Sequence, residues 1–167
     1  GKTMKSRVAK SFTIVALAAS LAACSSVNLD DKAGAGGSGS GADGSQILDP
    51  FNPKSVLAQQ RSVYFDFNSY TVDDKYRGIV ELHGKYLVAT PQQRVVIEGN
   101  TDARGGAEYN LALGQRRAEA VRRMLTLIGV PDTQVETISF GKEKPKALGD
   151  TEADYAENRR ADFNYKR

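Results

Sequence analysis

An acid and a base stand close together in one stretch of this chain. Asp102 follows Gly99-Asn100-Thr101, and Arg117 lies within Leu113-Gly114-Gln115-Arg116-Arg117-Ala118. A carboxylate accepts hydrogen bonds from an ammonium group, and a guanidinium grips a carboxylate through two parallel N–H bonds. Together they suit a small zwitterion that is held without reacting. The same pair would also serve as a structural ion pair tying a loop to a helix.

The elements that position this pair follow from hydrophobic patterning. Val95, Val96 and Ile97 form a β-branched run, which predicts a buried strand from Arg94 to Glu98. Leu113, Val121, Met124, Leu125 and Ile128 share one helical face. They predict a helix from Ala107 to Ile128, stopped by Gly129 and Pro131. Asp102 falls in the loop between the two, and backbone N–H groups at the helix start add positive potential. A helix rises only about 1.5 Å per residue, and its long side chains point back toward its N-terminus. Arg117 therefore shares a pocket with Asp102 if the loop folds back along the helix.

Further elements flank this core. Val63 to Phe67 read as a strand that turns Asp66 away from Phe65 and Phe67. Asp66 then either lines the same pocket or caps a turn before Asn68. Thr71 and Asp74 suggest a capping box for a helix from Val72 to Val88. His83 lies on that helix and is expected to be exposed or half-buried, without chemistry. Gln134 to Phe140 predict a third strand, Glu152 to Asn158 a short helix and Arg160 to Tyr165 a last strand. The alternation predicts an α/β (α+β) sandwich with a mixed sheet of about four strands.

The residues also match a known pattern. Asn110, Leu113, Gly114, Arg117, Ala118, Val121 and Leu125 fill N-x-x-L-S-x-x-R-A-x-x-V-x-x-x-L, with Gly114 where Ser is commonest. Gly99-Asn100-Thr101-Asp102 matches a G-H-T-D element with Asn100 in place of His, and Asn158-Arg159-Arg160 matches N-R-R. On these grounds the region from about residue 60 to the last residue resembles the OmpA-like peptidoglycan-binding domains. Three further features resemble the lipid-anchored branch of that family: the Arg104-Gly105 pair, Tyr64 to Phe67, and Ser139 to Pro145.

The resemblance implies helices packed on one face of an OmpA-like sheet. It implies a ligand, the meso-diaminopimelate of the peptidoglycan stem peptide, with the acid and base falling on Asp102 and Arg117. The binding set is then Asp66, Asn100, Thr101, Asp102, Arg104, Asn110, Leu113, Arg117 and Arg159, with Arg104 at the rim and no cofactor. Arg159 and Arg160 offer further carboxylate-binding charge, with a solvated surface role as the alternative for one of them. The resemblance also implies TolB and other Tol-system proteins as partners, in a system that constricts the envelope at division.

Composition narrows the alternatives. The net charge is +3, but Lys2, Lys5, Arg7 and Lys10 lie in residues 1–23, which hold no acid. Removing these four from the 23 basic residues leaves 19 against 20 acidic ones. A nucleic-acid binder should keep a basic face, so nucleic acid is not an expected partner. The single cysteine precludes an intrachain disulfide. The single histidine disfavours a zinc amidase, which would need several His ligands.

Residues 1–23 read as a lipoprotein signal peptide, with Gly1 to Thr3 as possible extra residues before Met4. Lys5, Arg7 and Lys10 precede a short apolar core from Phe12 to Ala19, too short for a transmembrane helix. Leu21-Ala22-Ala23-Cys24 resembles a lipobox, which predicts lipidation at Cys24. Ser25 favours the outer membrane, with the domain facing the periplasm. Residues 24–60 are assigned to the acylated N-terminus and a flexible linker, and residues 61–167 to the domain. Gly34, Gly36 and Gly39 spell G-x-G-x-x-G, but no strand precedes them and no helix follows, so they belong to the linker. Fully extended, the linker would span on the order of 120 Å.

These features describe a non-catalytic tether between outer membrane and cell wall. Three competing readings are a wall hydrolase using Asp66, Glu98 and Asp102, a wall-binding lipoprotein outside the Tol system, and a motor stator. A stator would need a transmembrane helix after Cys24.

Overall fold

Alternating apolar side chains build the sheet. In β1 (Ser62–Tyr64) Val63 is buried, and in β2 (Arg94–Asn100) Val95 and Ile97 are. In β3 (Val135–Gly141) Val135 points inward, and in β4 (Arg160–Lys166) Ala161, Phe163 and Tyr165 do. The strand order is β1-β4-β2-β3. β4 runs antiparallel to both β1 and β2, while β2 and β3 are parallel. The sheet is therefore mixed and four-stranded, as the sequence predicts. Its outward residues carry a polar network, with Ser62 Oγ donating to Asp162 (2.6 Å) and Asn164 Nδ2 to Glu98 (2.7 Å). The computed structural model describes residues 48–167. The signal segment, Cys24 and the Gly-rich stretch lie outside the described residues.

Among the described residues, four α-helices accompany the strands: α1 (Val56–Gln59), α2 (Arg77–Ala89), α3 (Ala107–Ile128) and α4 (Glu152–Asn158). α2 contributes Val80 and Leu87 to the core, and α3 contributes Ala118, Val121 and Leu125. Met124 and Ile128 pack partly buried against it. α3 keeps the bounds expected from its periodicity. Gly129 at φ 114° ends it in the left-handed region, donating to Leu125 and Thr126 carbonyls. α3 and β2 meet through glycines: a Cβ on Gly99 would collide with the Gly114 backbone, and one on Gly114 with Ser139 Oγ. This contact accounts for Gly114 where the family pattern favours Ser.

Two expectations need correcting. β1 stops at Tyr64, because Phe65 N–H turns to the Arg159 carbonyl (2.9 Å) and Asp66 and Phe67 are exposed. The capping residue before α2 is Asp73, whose Oδ1 accepts from Lys75 N–H (3.0 Å). Thr71 N–H instead donates to Ser69 Oγ (3.1 Å). A 3₁₀ turn (Asp74–Tyr76) follows, so α2 begins at Arg77 rather than Val72. Described residues upstream of 61 also pack onto the domain. Leu57 of α1 is fully buried, and Phe51 stands edge-on to Tyr165 with ring centroids 6.4 Å apart.

His83 is also corrected. It is fully buried and stacks on Phe163, with centroids 3.8 Å apart. Nε2–H donates to the Gln60 carbonyl (2.9 Å), which leaves Nδ1 to accept from Tyr165 OH (2.6 Å). Burial lowers its pKa to about 4, reinforced by the charge of Arg61 and opposed by the Gln60 hydrogen bond.

Candidate binding site

The C-terminal end of β2 delivers Asn100, Thr101 and Asp102 beside the first turns of α3. Within α3, the residues Asn110, Leu113, Gly114, Arg117, Ala118, Val121 and Leu125 are buried. That stripe is polar at Asn110 and Arg117 and apolar from Ala118 on, so the helix carries core and site on one face. A cavity of about 380 Å³ opens there, lined by Phe67, Asn68, Thr101, Asp102, Arg104, Gly105, Tyr109, Asn110, Leu113 and Arg117.

Arg117 is fully buried at the floor of this cavity. Its Nε donates to the Ser69 carbonyl (2.7 Å), Nη1 to Asn100 (3.0 Å) and Nη2 to Asp66 (3.1 Å). Three backbone carbonyls thus fix the guanidinium while two of its five donors remain. Burial lowers its pKa to about 10, helped by the charge of Arg159 and opposed by those of Asp102 and Tyr109. It stays cationic at neutral pH. Among the described residues it has no ion-pair partner.

Asp102 is paired, but not with Arg117. Its Oδ1 accepts from Arg104 N–H (3.0 Å) and Nε (3.2 Å), and its Oδ2 accepts from Arg104 Nη2 (2.7 Å) and Arg159 Nη1 (3.5 Å). Burial pushes the carboxyl up, but the hydrogen bonds and charge of Arg104, with Arg159, hold it below the ordinary carboxylate value. Arg104 lies between the Phe67 and Tyr155 rings, 4.3 and 4.2 Å from their centroids. Such cation–π contact braces its pairing with Asp102.

The other expected residues divide into liners and supports. Thr101 lines the cavity, and its N–H donates to the Gly141 carbonyl (2.9 Å). Asn110 lines it while donating to the carbonyls of Arg104 (2.8 Å) and Gly106 (3.0 Å), and Leu113 supplies an apolar wall. Asn100 lies beneath: its carbonyl holds Arg117, and its buried Oδ1 has no hydrogen-bond partner. Arg159 binds the Phe65 carbonyl (2.8 Å) and Glu152 (2.9 Å), supporting Asp102 from behind. Asp66 departs from expectation. Its carbonyl serves Arg117, but the residue lines a separate depression with Tyr64, Asp73 and Lys75. Arg160 is buried and holds Asp162 (3.0 Å) and the Lys144 carbonyl (3.2 Å), so it is neither a surface residue nor a cavity liner.

Phe67, Asn68, Gly105 and Tyr109 line the cavity without having been assigned to it from sequence. Tyr109 was accessible to a helix-face argument, because it sits one turn before Leu113. Asn68 adopts φ 62°, a turn conformation that Asn tolerates, but no local pattern aims it at a cavity.

A mixed sheet with a charged cavity beside its long helix is the architecture of an OmpA-like binding domain. The OmpA family matches residues 64–159. The peptidoglycan-associated lipoprotein of Pasteurella multocida is 41% identical over 95% of this chain and 99% of its own length. That of Haemophilus influenzae is 43% identical over 93% of this chain and 97% of its own. The crystal structure of the peptidoglycan-associated lipoprotein from Burkholderia pseudomallei has 60% identity and a TM-score of 0.68, covering 71% of this chain and 100% of that one. The C-terminal domain of Helicobacter pylori MotB, at 21% identity and a TM-score of 0.58, covers 63% of this chain and 82% of that one and shares the fold alone. The chain belongs to the OmpA family, whose domains bind rather than catalyse, and within it to the peptidoglycan-associated lipoproteins.

Proposed function

We propose that this protein binds peptidoglycan non-covalently through the diaminopimelate of the stem peptide. Anchored in the outer membrane by lipid on Cys24 and facing the periplasm, it ties that membrane to the cell wall. The observation that carries this reading is Arg117, a buried cation without a carboxylate partner among the described residues, fixed at the floor of a cavity. A ligand carboxylate would meet a guanidinium already oriented by three carbonyls. The ligand ammonium would meet the negative charge of Asp102, taking the place of its longest arginine contact, Arg159 Nη1 at 3.5 Å. Neither step breaks a covalent bond. A role in the Tol–Pal system, in envelope integrity and cell division with TolB and other Tol proteins, is carried over from the resemblance of the motifs. Retention of TolB by the immobilised protein would support it, and its failure would favour a wall-binding lipoprotein outside that system.

The deciding experiment is a calorimetric titration with two stem peptides, one containing diaminopimelate and one lysine. The lysine analogue lacks one carboxylate, so it should bind at least about tenfold more weakly, the loss of one charge-assisted pair. Equal binding of the two would overturn the assignment.

A further inference from the structure

Charge around the cavity does not balance. Asp102 is matched by Arg104 and Arg159, and Glu152 by Arg159 (2.9 Å) with Arg104 at 4.0 Å. Two cations beside the cavity, Arg117 and Lys142, have no ion-pair partner among the described residues. Lys142 is half-buried just past the end of β3, and its Nζ donates to the Gly105 carbonyl (2.8 Å). Gly105 lines the cavity, so this ammonium is held against one of its lining residues, whereas Arg117 lines the cavity itself and is fully buried. An ammonium has three donors, and the structure engages one of them. The position is fixed from below: Thr101 N–H binds the adjoining Gly141 carbonyl (2.9 Å), and a side chain on Gly141, at φ 53°, would crowd Leu111 N (3.1 Å).

We infer that Lys142 is a second carboxylate contact, reading the C-terminal carboxylate of the stem peptide while Arg117 takes that of diaminopimelate. This rests on the functional reading above. The free end of one diaminopimelate carries a single carboxylate, which the floor cation takes. An anion at Lys142 must then belong to the part of the ligand that leaves the cavity. Lys142 thus sets preference for uncapped stem peptides.

The test titrates the full-length protein with two diaminopimelate stem peptides, one ending in a free carboxylate and one in an amide. Wild type should prefer the carboxylate by about fivefold, the scale of a partly exposed ion pair, and added salt should shrink the preference. Lys142→Met should bind both peptides alike, at the wild-type affinity for the amide, and Lys142→Arg should restore the preference. A Lys142→Met protein that keeps the preference would overturn the inference. So would one that loses affinity equally for both peptides, because Lys142 would then only fasten the Gly105 loop. If wild type binds neither peptide, the functional reading itself falls, and this inference with it.

Discussion

Two buried polar clusters sit in this domain, and they are built on opposite logic. Around His83 the ring is held neutral and fully matched: one ring nitrogen donates, the other accepts, and the ring is stacked on Phe163. Around Arg117 a full positive charge is buried against carbonyls, donors remain, and a cavity of about 380 Å³ adjoins it. Burying a charge without a counter-charge is costly. The first cluster closes the fold onto its N-terminal segment through Gln60. The second keeps unmet donors where a cavity opens. Burial by itself does not separate structural from functional polar groups; the balance of donors, acceptors and charge does.

The sharpest test of the contrast is Arg117→Ala. If Arg117 also serves the fold, its loss leaves the carbonyls of Asp66, Ser69 and Asn100 unpaired. We expect stability in urea to fall by about 4 kcal/mol, reduced from the sum of three lost acceptors because water can enter from the cavity. Stem-peptide binding should vanish. Unchanged stability would mean the three carbonyls do not depend on Arg117, and the cluster would be purely a ligand site.

The His83 cluster makes a prediction in pH. Its pKa is 6.5 in the unfolded reference and about 4 when buried. As pH falls below 6.5, the unfolded chain takes up a proton that the folded chain refuses until about pH 4. Stability from this group is therefore full above pH 6.5 and declines toward pH 4, by about 3 kcal/mol in total. Thermal melts across that window should show the decline, and His83→Gln should flatten it. A wild-type melting temperature constant across the window would show that His83 is not held neutral.

How much of this contrast was legible in the sequence depends on distance along the chain. α3 was readable to the residue, because periodicity, Gly129 and Pro131 all lie within it or next to it. The α2 start was misplaced because two neighbouring side chains competed to cap it, and Asp73 rather than Thr71 holds the turn. The place of Arg117 and Asp102 in one cavity was expected from their motif. The partners of Arg117 were not, because two of its three carbonyls lie 48 and 51 residues upstream; Asp102 is held chiefly by Arg104, only two residues on. Backbone carbonyls carry no residue signature, so no pattern of side-chain types points to them. His83 illustrates the same limit: its two partners are 23 and 82 residues away.

Asp102→Asn has the smallest expected effect and separates two roles that Arg117→Ala confounds. An amide keeps the shape and one acceptor, so Arg104 N–H retains a partner and the loop stays in place. What disappears is the negative charge facing the ligand ammonium. Affinity for the diaminopimelate peptide should drop by about 2 kcal/mol, roughly thirtyfold, with circular dichroism unchanged. The stability cost should be smaller than that of Arg117→Ala at neutral pH. Because Asp102 is held below its ordinary carboxyl value, its contribution to stability is present above the unfolded pKa of 3.8 and is lost as pH falls through the lower folded value. The variant and wild type should therefore converge in stability in strong acid. If Asp102→Asn binds the peptide like wild type at neutral pH, the carboxylate serves only to hold Arg104 and Arg159, and the ammonium must be recognised elsewhere.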